Sequence, residues 1–185
     1  KVKVKQVALP GGASGIWKEL AVAVQSANAA AVIASDINKA GVQAVAAEIK
    51  SEGIVTDVTN EEDIIRLIKE SNDNCGGIDI FCSNVGIGAY EDFLKITNTE
   101  WRKMLDTNLM SHIYVVRHVL PQMLDRGSGY FVFTASAAGL LSQLGSVTYS
   151  VTKHAVVSLA EWLTITSGKM GIGVSCVCLK AVQKA

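Results

Sequence analysis

Short apolar runs rich in β-branched residues alternate with longer stretches of helical periodicity along the whole chain. That alternation restricts the fold more than any other feature. Val4–Leu9, Ala31–Ser35, Ile78–Ser83, Tyr130–Thr134 and Gly173–Leu179 read as strands. Helical patterns fall near 15–27, 38–50, 60–72, 98–124 and 148–167. Several strands are apolar throughout instead of alternating, as in a parallel sheet covered on both faces. The pattern predicts an α/β fold with a doubly wound parallel sheet and helices on both faces. Composition is even from end to end, without repeat or linker, so residues 1–185 are expected to form one domain.

Two helix starts are explicit. Thr97 with Glu100 makes a capping-box pattern. Asn60 precedes Glu61, Glu62 and Asp63, acids that suit the positive end of a helix.

Charge excludes some functions. The 17 basic and 17 acidic residues cancel and are spread along the chain, which is no footprint for nucleic acid. No apolar run approaches the ~18 residues of a membrane span, and the basic start is too short for a signal peptide. A cytoplasmic protein that binds neither membrane nor nucleic acid is expected. Cys75, Cys82, Cys176 and Cys178 lack metal-ligand spacing and read as buried thiols, with Cys176 and Cys178 on one strand face. His112, His118 and His154 read as packing or surface residues, and no metal is expected.

Gly11, Gly12 and Gly15 follow the first strand and open the first helix. Bare backbone there lets a pyrophosphate approach unpaired N–H groups at a helix N-terminus. Asp36 ends the second strand, where a carboxylate can accept from both hydroxyls of an adenosine ribose. Its charge repels a 2′-phosphate, and neither Ser14 nor Ile37 offers a cation, so NAD is expected over NADP.

Tyr149 and Lys153 stand at i and i+4, on one helical face. A lysine cation within ~4–6 Å lowers a phenol's pKa by roughly one to three units from about 10. Ser136 follows the Tyr130–Thr134 strand, and Asn108 lies in the preceding long helix.

Together these residues resemble the short-chain dehydrogenase/reductase family. The matching elements are PGGASGI at 10–16, DV at 57–58, SNVG at 83–86, Asn108, TASAAG at 134–139 and YSVTK at 149–153. The resemblance spans nearly the whole chain. It implies a Rossmann-like fold and an NAD(H)-dependent oxidoreductase interconverting an alcohol and a ketone or aldehyde. Tyr149 would be the general acid/base. Lys153 would lower its pKa and bind the nicotinamide ribose. Ser136 would bond the substrate oxygen, and Asn108 would hold a water that passes protons from Lys153 to solvent. Gly11, Ser14, Gly15 and Ile16 would form the phosphate turn, Asp57 and Val58 would contact adenine, and Asn84 and Gly86 would line the cofactor cleft. The family also implies a homodimer or homotetramer, paired through the helices at 98–124 and 148–167. Trp162 and the Val156–Val157 pair fit such a face or an ordinary core stripe equally well.

The sequence departs from the family at four places. Trp17 replaces the last glycine of the turn. A stripe of Ile16, Leu20, Val24 and Ala27 leaves it just beyond the apolar edge, so the indole is expected along the helix flank, with the cleft as the alternative. Pro10 stands in place of threonine. Gly53–Thr56 leaves little length for a third strand, which puts its pairing and the adenine contact in question. Leu179-Lys180 replaces Pro-Gly, and the sequence ends after the sixth strand, where the family continues with a substrate lid and a seventh strand. These departures keep a second reading open: a catalytically impaired dinucleotide-binding or assembly module of the same fold.

Overall fold

A computed structural model describes residues 5–13, 15–90 and 92–180. Six strands, β1 (Gln6–Pro10), β2 (Ala31–Asp36), β3 (Gly53–Val55), β4 (Ile80–Ser83), β5 (Gly129–Thr134) and β6 (Ile172–Val177), form one sheet in the order β3-β2-β1-β4-β5-β6. Every pair is parallel. This is the Rossmann strand order, with the chain reversing its direction of travel between β1 and β4.

Helices cover both faces, and alternate strand residues serve each side. Ala8, Ile33, Phe81, Phe131 and Phe133 pack with α3 (Glu61–Cys75), α5 (Ser111–Arg126) and α6 (Val147–Ser167). Val7, Leu9, Val32, Ala34 and Cys82 pack with α1 (Gly15–Ser26) and α2 (Lys39–Ile49). Both marked helix starts are capped as their residues suggest. The Asn60 side chain accepts from Glu62 N, and Thr97 with Glu100 forms the reciprocal box opening α4 (Asn98–Leu105). Among the described residues, no helix is long and apolar enough to cross a membrane.

Three expectations change. The third strand does pair, with Gly53, Ile54 and Val55 opposite Ala34, Ser35 and Asp36. Its position demands glycine, because a Cβ on Gly53 would lie 2.8 Å from the Val42 carbonyl oxygen of α2. The helix read over 98–124 is two helices joined by one π-helical turn, Asp106–Met110, and it runs on to Arg126. On α1 the buried residues are Trp17 and Ala21, while Ile16 is exposed and Leu20 and Val24 are half-buried. Trp17 therefore enters neither flank nor cleft. It is 9% exposed in the core layer under α1 and α2, among Val7, Val32, Ala21, Ala29 and Ala34, whose small side chains leave room for an indole.

Val156 belongs to the core and Val157 packs against it, whereas Trp162 is 58% exposed. The face of β5 and β6 opposite α5 and α6 is more open: Tyr130 is half exposed and its hydroxyl meets Ser175 Oγ at 2.8 Å.

Candidate active site

The reversal between β1 and β4 leaves a crevice at the strands' carboxyl ends, and the glycine turn occupies it. Gly11 and Gly12 both donate their N–H to the Ser35 carbonyl, at 2.8 and 3.0 Å. Gly11 has φ +80°, and a Cβ on it would lie 3.1 Å from Val85 and 3.3 Å from the Asn84 amide. Gly15 has φ +60°, with nothing within 4 Å of where its Cβ would be. The turn thus approaches β4 closely on one side and is open at the start of α1. Ile16 beside it is exposed. Ser14 lies outside the described residues.

Asp36 at the end of β2 accepts from Ala13 N through Oδ2 (3.2 Å) and from Asn38 N through Oδ1 (2.9 Å). The carboxylate is thereby pinned between the turn and α2, with further lone pairs available. Asp57 Oδ1 accepts from the Thr59 N–H and hydroxyl, and the Val58 side chain is buried in the core. Any adenine contact at Val58 falls to its backbone. Open space at Gly15, the narrow waist at Gly11 and the pinned Asp36 fit a dinucleotide laid across the strand ends.

Four further residues converge on the far side of the crevice. Thr134 and Ala135 carry β5 outward to Ser136, which caps a 3-10 turn by accepting from Ala138 N at 3.1 Å. The Ser136 hydroxyl also donates to the Leu179 carbonyl at 3.3 Å. Tyr149 and Lys153 stand in the first turns of α6, with the ammonium 5.7 Å from the phenol ring centre. Ser136, Tyr149 and Lys153 line one cavity of about 560 Å³ together with Asn84 and Gly86. Asn108 sits in the π turn, fully buried. Its Oδ1 accepts from Ile87 N (2.7 Å), and its Nδ2 donates to the Ile87 carbonyl (2.8 Å) and Thr152 Oγ1 (3.2 Å). A π turn in a long helix is a frequent mark of a functional position.

Gly86 is the hinge of this arrangement, since a Cβ there would lie 3.0 Å from Lys153 Nζ and 3.3 Å from Asn108 Oδ1. Only bare backbone lets the loop after β4 pass so close to the lysine. Lys153 is 2% exposed and donates to the Thr134 carbonyl at 2.8 Å. Burial pushes its ammonium down to about 8, which the neighbouring Cys176 opposes only in part.

Beneath it His112 is fully buried, with Nδ1 2.6 Å from Ser83 Oγ. Burial, followed by the charge on Lys153, holds its imidazole down to about 3, so it is neutral. His118 meets Glu61 at 2.8 Å, and His154 Nδ1 lies against the Ser150 carbonyl.

Gly11, Gly15 and Ile16 lie at the glycine turn beside Asp36, whereas Asp57 and Val58 follow β3, with the Val58 side chain in the core. Asn84, Gly86, Asn108, Ser136, Tyr149 and Lys153 are gathered on the far side of the crevice. Residues that motif reading missed include Tyr90, Gln143, Ser146 and Lys180 in the cavity wall, and the Ser146 hydroxyl bonded to the Ala89 carbonyl. These come from three segments that no local periodicity marks: the loop after β4, the loop before α6 and the residues after β6. Thr152 was visible inside YSVTK, but its role as a partner of Asn108 needed the fold.

Comparison with known proteins agrees with this fold. A family profile described as short chain dehydrogenase matches residues 5–185. An uncharacterized oxidoreductase of Staphylococcus aureus strain MW2 is 31% identical over 176 residues, covering 94% of this chain and 76% of its own. The (21S)-21-acetoxyl-apo-melianone synthase of Melia azedarach is 31% identical over 182 residues, covering 96% and 66%. The crystal structure of gox2181 superposes with a TM-score of 0.92 at 23% identity, over 96% of this chain and 72% of that one. LigO from Sphingobium sp. strain SYK-6, in its apo form, gives 0.89 at 25% identity, over 96% and 68%. The chain belongs to the short-chain dehydrogenase family of oxidoreductases, whose fold implies a nicotinamide dinucleotide as cofactor.

Proposed function

We propose that this chain is an NAD(H)-dependent oxidoreductase interconverting an alcohol and a ketone or aldehyde, with Ser136, Tyr149, Lys153 and Asn108 as its catalytic set. One observation carries the reading. Ser136, Tyr149 and a buried Lys153 share one cavity at the strand ends, next to a glycine turn that is open toward a helix N-terminus. When bound, the nicotinamide supplies or accepts the hydride.

The chain's own residues handle the oxygen and the proton. In reduction, Tyr149 Oη gives its proton to the carbonyl oxygen; in oxidation it takes the proton back. Ser136 Oγ turns its hydrogen from the Leu179 carbonyl to the substrate oxygen. Lys153 holds the nicotinamide ribose beside Tyr149. Asn108 uses both amide donors within the protein, and Oδ1 keeps one lone pair for a water leading from Lys153 to solvent.

Gly11, Ser14, Gly15 and Ile16 receive the diphosphate, Asp36 the adenosine ribose, Asp57 and Val58 the adenine, and Asn84 and Gly86 the nicotinamide half. NAD is favoured because Asp36 places a carboxylate where NADP carries phosphate. Trp17 packs in the core, which removes the steric argument for an impaired binding module.

Tyr149→Phe tests the reaction. With NADH and a panel of ketones and aldehydes, turnover is expected to fall by more than about 10²-fold while NADH binding persists. Equal turnover in parent and variant refutes the assigned acid. A homodimer or homotetramer is part of the proposal, with exposed Trp162 and Ile165 on α6 offering an apolar face. Light scattering that finds only monomer refutes that part.

A further inference from the structure

The wall of the cavity is one-sided in charge. Its described lining holds two lysines, Lys153 and Lys180, and no carboxylate. Lys153 is committed, being buried and donating to the Thr134 carbonyl. Lys180 is exposed and makes no ion pair or side-chain hydrogen bond among the described residues. The backbone leading to it is nevertheless well held. Ala135 N donates to the Val177 carbonyl at 3.0 Å, and Ala137 N donates to the Leu179 carbonyl at 2.8 Å. That same Leu179 carbonyl accepts from the Ser136 hydroxyl. The unpaired cation therefore follows directly on a peptide fastened to the residue that is to bond the substrate oxygen.

We propose that the substrate carries a carboxylate close to its reacting carbon, an oxo acid or the corresponding hydroxy acid, and that Lys180 receives this carboxylate. The inference rests on the alcohol–carbonyl reaction proposed above and narrows its substrate class. Among the described lining residues a carboxylate entering this cavity meets the exposed Lys180 and no like charge, so the field favours acid over ester. No described residue of the glycine turn lines this cavity.

The test uses 2-, 3- and 4-oxo acids, each paired with its methyl ester, with NADH at saturation. For at least one pair the parent is expected to prefer the acid by about tenfold or more in kcat/KM. That ratio should collapse toward one in Lys180→Met and invert in Lys180→Glu, with the NADH dissociation constant unchanged. Ester and acid equal in the parent, or a ratio surviving in Lys180→Met, overturns the proposal. So does a loss of NADH affinity in Lys180→Met that accounts for the whole effect, which would assign the lysine to the diphosphate. If the parent binds NADH yet turns over neither acids nor esters, the oxidoreductase reading fails separately. Calorimetry of the oxo acids with NADH-loaded parent and Lys180→Met then decides the question of charge. Weaker binding to the variant supports it, and equal or absent binding overturns it.

Discussion

Lys153→Met removes a charge that the folded chain holds against the pull of water, and the change in stability should be visible in its pH dependence. Lys153 is 2% exposed, and burial pushes its ammonium down to about 8 from 10.5. Between those values the unfolded chain binds more protons than the folded one, so stability rises with pH across that window. At pH 7 the charged lysine therefore costs the folded state about 3 kcal/mol, of which about 1.3 kcal/mol is recovered by pH 9. Methionine has no such titration. It does strand the Thr134 carbonyl that Nζ now satisfies, at about 1–3 kcal/mol. Net stabilisation of roughly 0–2 kcal/mol is expected at pH 7. The slope is the sharper readout. Urea unfolding of parent and variant at pH 7, 8 and 9 should show the parent gaining about 1.3 kcal/mol relative to Lys153→Met. Burial also pushes Cys82 up to about 12 and Cys176 up to about 11. Cys82 is pushed up by burial alone and cancels in the difference, while removing the Lys153 charge moves Cys176 further up, away from the pH 7–9 window. Parallel curves for parent and variant between pH 7 and 9 would refute the argument, because a solvated lysine gives no slope there.

Gly86→Ala should press a methyl against Lys153 Nζ and Asn108 Oδ1, at 3.0 and 3.3 Å before relaxation. Turnover is expected to fall about tenfold or more with a stability cost under about 2 kcal/mol; unchanged kcat/KM would show that the lysine's placement is immaterial. Asp36→Asn removes the charge that repels a 2′-phosphate, so NADPH binding should strengthen by about tenfold relative to NADH in a fluorescence titration. An unchanged ratio assigns cofactor choice elsewhere. Trp17→Gly empties a buried site and is expected to lower urea stability by about 4 kcal/mol. Stability equal to the parent would place the indole outside the core.

What the sequence determined by itself was local. Strand–helix alternation predicted a parallel sheet because each apolar run must find cover on both faces. Asn60 and Thr97 marked helix starts because a cap needs only a side chain and the next few N–H groups. Tyr149 and Lys153 could be paired because helical spacing alone puts them on one face.

The tertiary structure decided what depends on distant partners. Trp17 went to the core because Val32, Ala29 and Ala34, far along the chain, left a volume for it. Three residues sufficed for β3 because Gly53 could press against α2. Asn108 was recognisable by type, yet the π turn that lodges it and the Ile87 backbone that clamps its amide appear only after folding. The same holds for the dry setting of Lys153 and for Leu179 claiming the Ser136 hydroxyl. Periodicity is written in spacing, whereas burial and hydrogen-bond partnership are set by which remote segments meet.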